Sequence, residues 1–196
     1  MLYKKPQLNA QLEQGEILLG VHELRVCYPA CEPLGKDITL EIHPISYPYT
    51  IVINPACDLE QDFKQARFLE MPAHISEIQD YDDKEMTHWI PHIILLQASD
   101  KEIEIKARIA QFELWNQVKK NEHKRYHIFE KSIIEGEDNE VATLYIDFKK
   151  PIALPATSIY EGIRIGKIRR LAVIPPPYIY DLIQRFNSFF SRVGLP

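Results

Sequence analysis

Chemistry in this chain would have to start from a few residues. The first group is Cys57-Asp58, inside the stretch Asn54 to Phe63, NPACDLEQDF. A cysteine becomes a nucleophile as the thiolate, and a helix N-terminus lowers the thiol pKa. A helix is expected to begin here. The thiol would also need a base, with His22, His43, His92 and His127 as the partners on offer. The neighbouring carboxylate opposes a thiolate. The favoured reading is therefore a small buried cysteine followed by Asp58 as a helix N-cap. A second group is Cys27-x3-Cys31, which with Cys57 or a histidine would offer zinc ligands. The set lacks a second pair, and Pro91 interrupts His88-x3-His92, so two incidental loop cysteines are the better reading and no metal is expected. A third group is basic: Lys119, Lys120, Lys124, Arg125, Tyr126 and His127 in one segment, and Arg164, Lys167, Arg169 and Arg170 in another. Cations beside an aromatic suit phosphate contact with base stacking, provided the fold unites the two segments. His127 would then serve as a general acid or base. The simpler alternative is a lysine-decorated helix C-terminus and a charge-protected edge strand.

Absent patterns narrow the classes further. There is no GxxxxGK[ST], GxGxxG, HExxH or GxSxG, and seven glycines leave little for a nucleotide cradle. No cofactor is expected. The net charge of −5 divides unevenly. Residues 1–98 hold 7 Lys+Arg and 15 Asp+Glu (−8), and residues 99–196 hold 16 and 13 (+3). A basic second half leaves room for an anion-binding face. No apolar run approaches the roughly 20 residues of a membrane span. Three cysteines fit a reducing cytoplasm, and the opening residues lack the apolar core of an export signal.

The elements that must position these residues follow from hydrophobic period. Residues 1–14 read as a loose, flexible lead-in, and 15–196 as one globular domain. GEILLGVHELRV reads as a strand. DITLEIHPI alternates apolar and polar residues, and YPYTIVI is a separate, buried strand. A helix follows Asp58, with Leu59, Phe63 and Ala66 on one side. Residues 72–88 read as an acidic loop. WIPHIILLQAS is a strand, and DKEIEIKARIAQFELWNQVKKN one amphipathic helix. RYHIF and VATLYIDF are strands around the acidic turn EGEDNE. KKPIALP is a loop or edge strand broken by two prolines, and IRIGKIRRLAVI a strand, a turn and a strand. After Pro175 to Pro177 a final helix carries Ile179, Leu182, Ile183, Phe186, Phe190 and Val193 as an apolar stripe, packed on the sheet or, less expected, paired in a homodimer.

Gly15-Glu16-Ile17, the later strand pair and YPYTIVINPACDL resemble the opening of the MazF/PemK-like toxins. That family folds as a small SH3-like barrel and cuts RNA without a metal. Tyr47-Pro48 stands where the family has Arg-Pro, and Asn54 stands near its Ser/Thr. The chain as a whole resembles a set of bacterial proteins of unassigned function. The expectation is an α+β fold: a curved antiparallel sheet or SH3-like barrel elaborated by helices, with an amphipathic C-terminal helix. It would be a cytoplasmic binding or regulatory module for nucleic acid or a protein partner. The alternative is a metal-independent ribonuclease using Arg125 and His127, or a cysteine enzyme using Cys57.

Overall fold

In the computed structural model, residues 1–8, 10–27, 41–66, 90–109 and 112–191 are described. Two 12-residue strands, β1 (Glu16–Cys27) and β2 (Glu41–Val52), pair antiparallel along their whole length, from Ile17 opposite Ile51 to Cys27 opposite Glu41. The two patterns read from residues 37–53 thus belong, over the described part, to one strand. Pro44 and Pro48 do not break it. Only the lower ends of this pair join the sheet, β1 through Glu16–Leu19 and β2 through Tyr49–Val52. The upper ends run on as a two-stranded arm.

The remaining strands are β3 (His92–Ser99), β4 (Tyr126–Phe129), β5 (Ser132–Ile133), β6 (Glu140–Val141), β7 (Leu144–Pro155) and β8 (Arg169–Val173). Six of them form one sheet in the order β4-β7-β3-β2-β1-β8, and every neighbouring pair is antiparallel. β5 and β6 make a small hairpin around the acidic turn. The barrel expected from the toxin resemblance does not close, because β4 and β8 stay apart as the two edges. Lys4 occupies the free side of β8, exchanging main-chain bonds with Val173. β7 is a full-length strand despite Pro151 and Pro155. β4 covers only Leu144–Asp147, so the proline end has no neighbour on that side needing its N–H.

The helices are α1 (Ala56–Ala66), α2 (Glu102–Lys106), α3 (Phe112–Lys119), α4 (Ala156–Arg164) and α5 (Tyr178–Ser191). Alternation along the strands sends side chains to two faces. Ile17, Ile51 and Leu96 join one core with Ile179 and Leu182 of α5. Leu18, Val52 and Leu95 join another with Leu59 of α1 and Ile159 of α4. A third cluster packs Trp115 and Val118 of α3 on Tyr126, Ile128 and Tyr145. The fold class is therefore α+β, with helices on both faces. The long helix expected over 100–121 is instead α2 and α3, and Phe112 is exposed. The strand expected from Ile163 is the end of α4, whose Ile159, Tyr160 and Ile163 point to one core. α5 forms as expected, but Phe189 rather than Phe190 joins Phe186 against Phe148, and Phe190 is exposed; Val193 lies outside the described residues.

The first residues are tied down. Tyr3 and Leu12 are buried, and Arg170 gathers the carbonyls of Gln7, Leu8, Ala10 and Gln11 while pairing with Glu16. No helix among the described residues is long and apolar enough to cross a membrane.

Candidate functional site

The NPACDLEQDF stretch proves to be a structural joint. Asn54 is buried; its Oδ1 accepts from the Ile94 N–H at 2.6 Å and its Nδ2 donates to the His92 carbonyl, extending the β2–β3 pairing by one side chain. Asp62 is fully buried and accepts from the Ile90 N–H and the Tyr160 hydroxyl. Burial raises its pKa, against those two bonds. α1 starts at Ala56, so Asp58 lies in its first turn rather than at the N-cap. Cys57 is exposed, not buried, and its thiol donates to Asp58 Oδ1 at 3.3 Å.

His127 is on β4 and 2 % exposed, on the α5 face of the sheet, with its ring against Phe129. α1 covers the other face, and β7 and β3 separate β4 from β2, so Cys57 and His127 do not meet. Arg185 Nη1 lies 2.9 Å from His127 Nδ1. Arginine only donates, so Nδ1 accepts and the ring proton sits on Nε2, which finds no partner. Burial, with Arg185 adding to it, pushes the His127 pKa down to about 3. The ring is uncharged at neutral pH, so the general acid–base role expected near pH 7 is unsupported by this setting. Cys27 lies at the far end of the arm, roughly 33 Å along β2 from Ile51 at 3.3 Å per residue. Cys31 and His88 lie outside the described residues, and no metal-ligating cluster occurs among the described ones.

The two basic segments fall at opposite edges of the sheet, five strand spacings or roughly 24 Å apart. Several of their members are already committed. Arg170 is buried against Glu16. Arg164 pairs with Glu161 at 2.6 Å. Arg125 grips Asp147 with both arms of its fork, at 2.7 and 2.5 Å, and lies over the buried Tyr126 ring. Lys119, Lys120, Lys124, Lys167 and Arg169 stay exposed. Lys119 acts electrostatically on Glu102 of α2, and Arg169 on Tyr49 of β2.

A groove of about 340 Å³ runs over β2, β3 and β7 beside α2. Tyr47, Tyr49 and Tyr145 wall it, with Gln97 and Ser99 as polar contacts. Tyr145 is held by stacking on Trp115 and by donating to Glu102. Its charged residues are Lys101, Arg108 and Lys150 against Asp100, Glu104 and Asp147. Lys101 is 3.6 Å from Glu104, and Arg125 absorbs the Asp147 charge. Burial works to raise the Asp147 pKa, but the Arg125 bonds and the Lys149 N–H win and lower it. Two cations, Arg108 and Lys150, therefore face the groove against one carboxylate, Asp100. Arg108 leans on Asp147 only at 3.8 Å.

Sequence reasoning found the Arg125 side of this site and missed Arg108, Asp147 and Lys150. The one signal for Asp147 was a carboxylate in the middle of an apolar strand pattern, LYIDF. A matching family model, curated protein or solved structure is found in none of the comparisons with known proteins.

Proposed function

We propose that the chain is a binding module whose groove beside α2 takes a phosphate-bearing ligand of the single-stranded nucleic-acid kind. The observation that carries this reading is the pair Arg108 and Lys150 left facing a tyrosine-walled groove, once Arg125 has neutralised Asp147. The volume suits one nucleotide-sized unit rather than a duplex. Tyr49, half-exposed, offers a ring for stacking, and Gln97 and Ser99 offer hydrogen bonds to an edge. The ribonuclease reading has less support, since Arg125 is held by Asp147 and the His127 ring is buried and uncharged at neutral pH; the thiol reading has less support, since Cys57 and His127 lie on opposite faces.

The test is fluorescence anisotropy with a labelled single-stranded RNA, for wild type and Arg108→Ala/Lys150→Ala, at 50 and 200 mM salt. Two lost phosphate contacts at a slope of about 0.7 each reduce the salt dependence by roughly 1.4, or about sevenfold in affinity across that range. Equal binding by both proteins removes the groove from the account. Shortening of the RNA during the assay would revive the nuclease reading.

A further inference from the structure

The arm of β1 and β2 beyond the sheet is a surface of its own. It begins at Gly20, whose φ of +75° and close approach to the Lys167 carbonyl exclude a side chain: an added Cβ would lie 2.5 Å from that oxygen. Past this kink the two strands stand alone among the described residues, since β8 reaches only Leu19 and β3 only Tyr49. Leu24, Val26 and Ile42 lie on one side of the arm, together with Pro44, and are 73 %, 47 % and 62 % exposed. The other side is charged and internally satisfied: Arg25 donates to Glu23, Tyr47 donates to Glu23, and His43 lies 3.0 Å from Glu41.

The two outer edges of the arm differ. Pro44 pairs with Leu24 but has no N–H, so its nitrogen faces away from β1, and the pair is a non-hydrogen-bonded one. On β2 the outward positions are then Ile42, Pro44 and Ser46, and the middle one offers no donor. On β1 the outward N–H and C=O groups belong to His22, Leu24 and Val26, and none is a proline. Among the described residues, one edge is blunted and the other is open.

We infer that the open edge of β1 pairs antiparallel with the same edge of a second copy of this chain, about a two-fold axis at Leu24. The register is self-complementary. With Leu24 opposite its own copy, His22 and Val26 exchange main-chain bonds with Val26 and His22 of the other protomer. On the charged side, Glu23 then stands opposite Arg25 of the second copy, and Arg25 opposite its Glu23. These are non-hydrogen-bonded positions, where side chains approach most closely. On the other side the Leu24, Val26, Ile42 and Pro44 sets of both chains merge into one apolar strip. Such a contact is isologous and closes at two copies, because the proline-bearing β2 edges end up outermost. The short paired length makes it a weak, concentration-dependent dimer, below the size of a permanent interface.

Sedimentation velocity over a range of concentrations tests this with the full chain. Wild type should shift from monomer to dimer as concentration rises. Leu24→Pro removes an outward donor without touching the β1–β2 bonds, and should stay monomeric with an unchanged melting temperature. Arg25→Glu should also stay monomeric, by placing like charges opposite each other. Glu23→Arg/Arg25→Glu should restore the dimer. A monomeric wild type at every concentration overturns the inference. So does a dimer indifferent to Leu24→Pro, or an Arg25→Glu defect that the double exchange does not repair.

Discussion

Arg170→Met should be the most damaging substitution at any of the charged positions discussed above. Arg170 and Glu16 are buried, with side chains 3 % and 0 % exposed, and they bond directly. The same guanidinium holds four carbonyls of residues 7–11 at 2.7–3.2 Å. Without it Glu16 keeps only the Glu13 N–H at 2.9 Å. Removing one partner of a buried pair costs about 3–5 kcal/mol, chiefly because the other charge is stranded. At about 4 kcal/mol the melting temperature should fall by about 12 °C, taking roughly 3 °C per kcal/mol for a chain this long. With a urea slope near ~2 kcal/mol/M, the midpoint should drop by about 2 M. Glu16→Leu/Arg170→Met should regain most of the loss, since an apolar pair leaves no stranded charge. Arg170→Lys keeps the charge but cannot fork to four carbonyls. It should cost less, about 1–2 kcal/mol, and open residues 7–11 to protease. A cost below about 1 kcal/mol for Arg170→Met, or a double variant no better than the single, would refute the latch.

Two further outcomes follow from the residues that first suggested catalysis. His127 has a folded pKa pushed well below its ordinary 6.5, to about 3, so the unfolded chain binds the extra proton between those values. Its stability contribution is complete above pH 6.5 and is lost as pH falls towards 3, at up to about 1.4 kcal/mol per pH unit. His127→Gln should flatten urea stability between pH 6 and 4, measured against wild type; an unchanged acid limb counts against the buried neutral ring. Cys57→Ala removes an exposed thiol that, among the described residues, bonds to its neighbour Asp58, and should leave both RNA binding and the melting temperature within error; a loss of either gives Cys57 a role the fold does not show.

Periodicity carried the reading furthest where one rule acted alone. β1 and β4 appear where short apolar runs put them, β4 being buried at all four positions, and α5 where the i, i+3, i+4 stripe puts it. Proline misled at one strand: Pro151 and Pro155 read as breaks, yet β7 runs through both, where β4 no longer pairs on that side. α4 escaped notice because Ile159, Ile163 and Ile165 lie among β-formers, and only packing on β3 and β7 makes Ala156–Arg164 helical. The single helix expected over 100–121 is instead α2, ending at Lys106, and α3, beginning at Phe112, whose side chain turns out to solvent. The candidate site was half legible. Arg125 and Tyr126 advertise themselves in a basic run, whereas Asp147 and Lys150 of β7 meet Arg108, from just past the end of α2, only in the folded chain. Nothing local in the sequence said that Arg170 would be consumed by Glu16, 154 residues away.

In the proposed binding mode the cations left facing the groove, Arg108 and Lys150, meet the ligand, and the buried ones do not. The most direct measurement is the salt dependence of single-stranded RNA binding for wild type beside Arg108→Ala/Lys150→Ala. The account predicts measurable wild-type binding at 50 mM salt, a double variant with a slope shallower by roughly 1.4, and unchanged stability. Wild-type protein that binds no RNA at 50 mM salt, or a double variant whose slope matches wild type, would contradict it.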